Sequence, residues 1–385
     1  MNEYALLLAS ALVSALTNLL GYARRGPAPR RILVVKLDHL GDVITATPAL
    51  RALREAHPAA EIDLLLSPSV APLFEGTQLA TRVLAYDSPR YRRGPALPGA
   101  DPLREAAHAR YDAIVELRGD WRTLSLPFRT WARRRVDRGT VRLSDWIGRR
   151  MGRRRGHAPL HEAETNYEIV RPLLPPAALR PPPAEIHLRS GADDAMTRRL
   201  AEAGVDLSRP IVCIHPGASW RPRAWLPERF AAIADWVAEH YHAQIVLLGS
   251  TEERGVEAAV LGHVRNGYVA SLFGTLPLPE VAALLKSSRL LIGNDGGIAH
   301  LAAACGTPTV ALFGPQDPRR FKPWSDRSIA LHHPVHCFPC AQIRCVHPEL
   351  PCVNLIEVAE VEAAVRALLG PPPTHASAPT AAPPA

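Results

Sequence analysis

Residues 289–318 read RLLIGNDGGIAHLAAACGTPTVALFGPQDP, and this stretch decides the fold. An apolar run at 290–292 stops at a glycine-rich turn, a helical pattern of small residues occupies 298–305, and a second apolar run follows at 309–313. Strand, turn, helix and strand within about 25 residues predict one unit of a parallel α/β sheet, whose helix N-terminus points into a crevice. Such a turn favours a bound phosphate, although Gly-Gly before a helix can also be ordinary turn chemistry.

The same alternation of apolar strands and helices extends through both halves of the chain. The predicted strands are 32–36, 61–66, 83–86 and 113–117 in the first half, and 211–215, 244–248, 290–292 and 309–313 in the second. The predicted helices are 47–56, 102–109, 165–174, 192–203, 227–240, 252–261, 278–286 and 298–305. Alternation of this kind predicts doubly wound parallel sheets.

A proline-rich segment at 172–183 separates the two halves and predicts a stiff linker. We therefore expect two Rossmann-like domains, 26–180 and 181–370, facing a central cleft. An arginine-dense stretch, 129–155, interrupts the pattern in the first domain and predicts no regular element. Residues 371–385 contain only Pro, Ala, Ser, Thr and His and predict a disordered tail.

Residues 1–25 contain an apolar helical stretch, YALLLASALVSALTNLL at 4–20. The acidic residue Glu3 stands where a signal peptide would have its positively charged region. The length of the apolar stretch is at the lower limit for a membrane span. Two interpretations stay open: a helix packed on the protein, or an anchor lying in a membrane interface.

The chain has 385 residues and a formal net charge of +8, carried almost wholly by arginine. A positive charge favours anionic partners. Nucleic acid is not expected, because no recognition module and no basic stripe interleaved with aromatic residues is present. Four cysteines lie close together, at Cys337, Cys340, Cys345 and Cys352. They could hold a structural zinc, or two of them could pair if oxidised.

Three motifs occur in a definite order along the chain. The first is RILVVKLDHLGDV at 31–43, followed by TPAL at 47–50; the second is HPGASW at 215–220, followed by RAWLP at 223–227; the third is the 289–318 stretch. Together they resemble glycosyltransferase family 9, the ADP-heptose:lipopolysaccharide heptosyltransferases. The resemblance implies a GT-B fold and an inverting transferase that needs no cofactor and no metal.

The resemblance also implies roles for individual residues. Asp42 matches the family's catalytic base, which takes the proton of the acceptor hydroxyl. Asp38 is the rival carboxylate, and a helix N-cap is the alternative role for Asp42. The implied donor-binding residues are Ser219, Arg223, Thr275, Asp295, Gly296, Gly297, Ile298 and His300. Arg223 stands where the family commonly has lysine, and capping the following helix is the alternative role for Asp295.

The implied acceptor is the anionic inner core of lipopolysaccharide, held by the first domain. Arg118 and Arg122 follow the strand at 113–117 and are the predicted acceptor contacts. The arginines of 129–155 could add to acceptor binding, or could form a solvated surface. The implied location is the cytoplasmic face of the inner membrane, in peripheral contact with it. Two alternatives stay open: a GT-B transferase using another nucleotide-sugar, or a non-catalytic binder of sugar nucleotides at a membrane.

Overall fold

A computed structural model describes residues 3–22, 28–92, 101–141, 160–176, 180–188, 191–340, 342 and 344–372. Within the first helix it describes the side chains of residue 5 and of 8–19. Most of the predicted tail, and the arginines of 142–155, lie outside the described residues.

The first domain is a parallel sheet with helices on its faces. Its described strands are β1 (Arg31–Lys36), β2 (Glu61–Leu66), β3 (Arg82–Ala85), β4 (Ala113–Arg118) and β5 (Arg134–Asp137), in the spatial order β3-β2-β1-β4-β5. Its described helices are α1 (Glu3–Tyr22), α2 (Leu40–Ile44), α3 (Thr47–Ala56), α4 (Pro102–His108), α5 (Leu126–Arg129) and α6 (Glu162–Val170). Every strand pair in this sheet is parallel, as predicted.

The second domain repeats the plan. Its described strands are β6 (Ile211–His215), β7 (Gln244–Leu247), β8 (Val269–Ser271), β9 (Leu290–Asn294), β10 (Thr309–Phe313) and β11 (Ser328–His332), in the order β11-β10-β9-β6-β7-β8 and all parallel. Its described helices are α7 (Ala192–Glu202), α8 (Pro227–Tyr241), α9 (Arg254–Leu261), α10 (Leu278–Ser287), α11 (Gly297–Ala304), α12 (Pro318–Phe321) and α13 (Val358–Leu369).

Continuous apolar runs form the central strands because both faces of each sheet are covered. In β1, Ile32 and Val34 pack into one hydrophobic cluster, while Leu33 and Val35 pack into another on the opposite face. A strand buried on both faces gains from apolar side chains at every position, which is why these runs were readable in the sequence.

The arginine-dense stretch is the exception, and our expectation for it was wrong. Residues Arg134–Asp137 form β5, the edge strand next to β4. Arg135 is fully buried there, and Arg138 is buried beside Glu162, with 2.8 Å between guanidinium and carboxylate. These two arginines are paired inside the protein, so they are neither solvated nor available to an acceptor.

The N-terminal helix α1 packs on β5, which agrees with the packed-helix interpretation. No helix within the described residues is sufficiently long and apolar to traverse a membrane.

The two domains meet where α2 packs against α11. A Cβ added to Gly41 would lie 2.8 Å from the His300 ring, and one added to Gly297 would lie 2.9 Å from the Leu40 Cβ. Both glycines are therefore required for the close approach of the two helix N-termini. Farther along, Glu162 of the first domain accepts a hydrogen bond from Arg320 of the second at 3.0 Å.

Candidate active site

Asp42 lies at the meeting point of the domains. It occupies the first turn of α2, immediately after the carboxyl end of β1, and its side chain is half-buried. The residue at the N-cap of α2 is His39, so the structure does not give Asp42 the alternative role of N-cap. The half-buried carboxylate is left on the side of α2 that approaches the second domain.

Asp38 is held in a buried cluster behind Asp42. Lys36 Nζ is 3.1 Å from Asp38 Oδ2, and Arg118 Nε is 3.7 Å from the same oxygen. Burial raises the pKa of Asp38, the two cations oppose that rise, and the negative charge of Asp42 adds to it. The two carboxylates are thus electrostatic neighbours, and Asp42 is the more accessible of the two.

On the second domain, a buried asparagine ties two of the motifs together. The Asn294 side chain accepts a hydrogen bond from the Trp225 amide at 3.1 Å and donates one to the Pro216 carbonyl at 2.8 Å. This holds the 215–227 loop against the start of α11. Sequence reasoning missed Asn294, although an asparagine at the end of an apolar strand was a readable signal.

Asp295 pairs with Arg223 beside the N-terminus of α11, with 3.0 Å between guanidinium and carboxylate. Burial raises the pKa of Asp295 to about 6; Arg223 opposes this rise and Asp42 adds to it. The charge of Asp42 therefore reaches across the domain boundary to this pair. Asp295 does not cap α11, whose N-cap residue is Gly296 and has no side-chain cap.

The first turn of α11 presents backbone N–H groups next to this ion pair. The amides of Gly297 and Ile298 belong to the first helical turn, where N–H groups have no acceptor within the helix. Such groups, together with the helix dipole, make a favourable position for an anion. A guanidinium and a helix N-terminus thus lie next to Asp295, which is an electrostatic neighbour of Asp42.

His300 lies in the second turn of α11 and is buried. Burial lowers the pKa of His300 to about 3, and the nearby charges of His161 and Arg223 act in the same direction. The ring is therefore neutral at physiological pH and packs against Gly41. This geometry fits a structural spacer between α2 and α11.

The remaining predicted donor residues lie around the edge of this cluster. Ser219 is exposed on the loop after β6. The Thr275 hydroxyl donates to the Leu272 carbonyl at 3.0 Å, and the preceding Gly274 has φ +66° where its backbone passes Thr251. Neither side chain contacts the Arg223–Asp295 pair in the described structure.

Glu253 is a further polar residue at this edge that sequence reasoning missed. Burial would raise its pKa, but His215, whose Nε2 lies 3.7 Å away, and the Ser250 backbone and hydroxyl lower it to about 2. The Ser-x-x-Glu spacing of a capping box, 250–253, was the available signal.

Comparison with known proteins identifies the fold and family. Residues 176–350 match the sequence model of Glycosyltransferase family 9 (heptosyltransferase). Lipopolysaccharide heptosyltransferase 3 of Escherichia coli is 26% identical over 302 residues, which cover 75% of this chain and 85% of that protein. Residues 176–350 therefore carry a glycosyltransferase family 9 domain.

Solved structures agree with the family 9 assignment. The glycosyl transferase family 9 protein of Veillonella parvula has a TM-score of 0.70 and 21% identity, and the match covers 88% of this chain and 97% of that one. The E. coli heptosyltransferase WaaC with ADP has a TM-score of 0.60 and 18% identity, and that match covers 88% and 99%. The predicted GT-B fold is confirmed, and the chain is a glycosyltransferase.

The two arginines predicted to contact the acceptor occupy different surroundings in the structure. Arg118 lies in the cluster with Asp38, next to Asp42. Arg122 is exposed on the following turn, with its guanidinium 5.2 Å from the centre of the Trp121 ring. Of these two arginines, Arg118 joins the Asp38 cluster and Arg122 does not contact Asp38.

The four cysteines of the family 9 chain are present as free thiols. Burial raises the pKa of Cys352, and the neighbouring Cys337 and Cys345 raise it further. Among the residues that the structure describes, however, no group of three or more His, Cys, Asp or Glu side chains has an arrangement that could hold a metal.

Proposed function

We propose that this chain transfers heptose, or a closely related sugar, from an ADP-sugar to the inner core of lipopolysaccharide, with inversion at the anomeric carbon. One observation carries the proposal: α2, which holds the half-buried Asp42, packs against α11, and the charge of Asp42 acts on the Arg223–Asp295 pair at the start of α11. The relatives named above are heptosyltransferases, and one of them is seen with ADP.

The diphosphate of the donor would bind at the start of α11. The free amides of Gly297 and Ile298 can donate to phosphate oxygens, and the Arg223 guanidinium lies beside them to neutralise charge. These donors are aimed at the place where negative charge grows as the sugar leaves, so their stabilisation is larger in the transition state than in the ground state.

Asp42 would act as the general base. The acceptor hydroxyl oxygen attacks the anomeric carbon from the face opposite the diphosphate, and its proton passes to the Asp42 carboxylate. The bond between the anomeric carbon and the phosphate oxygen breaks, and ADP leaves with the bonding electrons. Attack from the opposite face inverts the anomeric configuration.

Asp295 would position Arg223 when no donor is bound. The pKa of Asp295 is already raised to about 6. An arriving diphosphate would compete for the same guanidinium and bring more negative charge, so it would favour protonation of Asp295 further. Arg118, beside Asp38, would contact the anionic acceptor at the base. We place the reaction at the cytoplasmic face of the inner membrane, because the acceptor is attached to a lipid.

The direct test is incubation with ADP-heptose and lipopolysaccharide core acceptors truncated at successive sugars, with products read by mass spectrometry. The expected result is a mass increase of one heptose on one acceptor, and an inverted linkage by NMR. A parallel panel of nucleotide diphosphates, scored by thermal stabilisation, tests the donor. Stabilisation by another nucleotide in preference to ADP would favour the transferase with a different nucleotide-sugar.

A further inference from the structure

The N-terminal helix α1 is packed with its polar side toward the protein. Ser10, Ser14 and Thr17, which follow one another along one face, are all buried. The Arg135 guanidinium of β5 donates to the Ser10 carbonyl at 2.6 Å and to the Ser14 hydroxyl at 2.7 Å. An ordinary amphipathic helix buries its apolar face, whereas α1 buries its polar face.

A second contact determines which face of α1 is buried. The Asn18 side-chain amide donates to the Arg135 carbonyl at 2.8 Å and accepts from the Arg135 amide at 2.9 Å. It therefore completes the backbone hydrogen bonds of an edge strand, which would otherwise be open. Together with the serine contacts, this pair of bonds holds α1 in one rotational orientation.

The opposite side of α1 carries a row of exposed leucines, which we call the leucine face. Its members and their exposed fractions are Leu8 57%, Leu12 71%, Leu16 48% and Leu19 72%. Residues spaced by four, four and three positions lie on one side of a helix. Four exposed leucines in one row form a contiguous apolar patch of the kind that marks an interaction site.

Exposed aromatic and basic side chains lie close to the elements that α1 contacts. Helix α1 contacts the turn at 123–125. Trp121, which is 61% exposed, precedes that turn, and the exposed Phe128 follows it. Arg129 is exposed next to Phe128 in the sequence, and Arg134 is exposed on β5, the strand on which α1 packs. Exposed aromatic and basic side chains therefore lie on or next to the elements that α1 contacts.

We propose that the leucine face, with Trp121 and Phe128, docks on an anionic phospholipid bilayer. Leucines can enter the acyl boundary, a tryptophan is favoured at the headgroup level, and exposed arginines attract anionic headgroups. A second copy of this chain is the less suitable occupant, because a symmetric contact would bring the same arginines together. The choice of a bilayer also rests on the proposed function, in which the acceptor is anchored in a membrane.

The experiment is co-sedimentation of the full chain with vesicles of phosphatidylethanolamine and phosphatidylglycerol, compared with vesicles of phosphatidylcholine alone. Wild type should sediment with the anionic vesicles. The double variant Leu12→Glu/Leu19→Glu should bind them at least about tenfold more weakly. A matched control is Leu207→Glu/Leu350→Glu, which changes two exposed leucines of the second domain and should bind as wild type does.

A second pair of variants tests the charge. Arg129→Gln and Arg134→Gln should each weaken binding to anionic vesicles by about fivefold and leave binding to phosphatidylcholine unchanged. Melting temperatures of all variants should match wild type, because the substituted side chains are exposed.

Activity separates this proposal from the proposed function. Transfer to a delipidated, soluble core acceptor should be the same in wild type and in the double leucine variant, while transfer to acceptor in vesicles should fall in the variant. Vesicle binding that survives Leu12→Glu/Leu19→Glu would overturn the docking surface. A dimer in light scattering that the same variant dissolves, without vesicle binding by wild type, would assign the face to a second copy. No transfer from ADP-heptose to any acceptor, with vesicle binding intact, would refute the proposed function alone.

Discussion

Two buried or nearly buried arginines of this chain have opposite surroundings. Arg135, under α1, donates to Ser10, Ser14 and Glu116 and lies 3.4 Å from Asp137. Arg223, in the cleft between the domains, has Asp295 as its ion-pair partner at 3.0 Å and keeps some exposure to solvent. The first arginine is enclosed by several acceptors, whereas the second has one ion-pair partner among the described residues.

The difference shows how to distinguish a structural charge from a functional one. A buried ion whose terminal nitrogens are bonded within the fold stabilises one arrangement of the chain and is closed to a ligand. Arg223 and Asp42, by contrast, lie on different domains, and their side chains are not fully used by hydrogen bonds within the fold. Substitutions at the first site should change stability, and substitutions at the second should change activity.

The largest effect is expected for Asp42→Asn, which removes the base and keeps the shape. Turnover should fall by about 10²–10⁴-fold, while the affinity for ADP, measured by calorimetry, stays near that of wild type. Asp38→Asn is the matched control, since Asp38 is the neighbouring carboxylate. If Asp38→Asn abolished transfer and Asp42→Asn did not, the two roles would have to be exchanged.

Next is Arg135→Met, which leaves the carboxylates of Glu116 and Asp137 buried without their partner. The free energy of unfolding should decrease by about 3–5 kcal/mol in denaturant titrations. The adjacent Arg134→Met changes an exposed arginine and should stay within about 0.5 kcal/mol of wild type. Equal losses for both variants would mean that the Arg135 network contributes nothing specific.

A pH-dependent effect is expected at Asp295. Burial raises its pKa from 3.8 to about 6, so the folded chain binds this proton more tightly than the unfolded chain does. The corresponding stability is present below about pH 4 and is lost as the pH rises through 6, up to ~3 kcal/mol in total. The stability of wild type relative to Asp295→Asn should therefore fall between those pH values. A difference that is flat with pH would contradict the raised pKa.

The smallest effect distinguishes arginine from lysine at position 223. Arg223→Gln should lose about 1.5–3 kcal/mol of transition-state stabilisation, seen as lower kcat/KM for the donor, because a charged hydrogen bond to the diphosphate is gone. Arg223→Lys should recover part of this loss, since it restores the charge without the two-pronged geometry. Arg223→Lys should melt close to wild type, in contrast to Arg135→Met, because it keeps a cation beside the buried Asp295. A large loss of stability would make Arg223 a structural residue like Arg135.

Most of the fold could be predicted from the sequence, because strands such as β1 and β9 contain continuous apolar runs. The strand β5 could not, because its sequence is RRVD and is compatible with a solvated loop. Its burial depends on α1, which lies more than a hundred residues earlier in the chain. For the same reason the inverted packing of α1 was unreadable: its serines are buried by an arginine that no local pattern connects to them.

The candidate site divides in the same way. Local sequence determined the apolar strands, the glycine turns and the motifs that carry Asp42 and the start of α11, because each depends on neighbouring residues. Tertiary structure alone decided that Asp42 is an electrostatic neighbour of Asp295, that Asp295 pairs with arginine instead of capping a helix, and that Arg135 is internal. These outcomes depend on which charges from distant parts of the chain are buried together. That pairing is determined by hydrogen bonding and burial between remote segments, which form only when the domains fold.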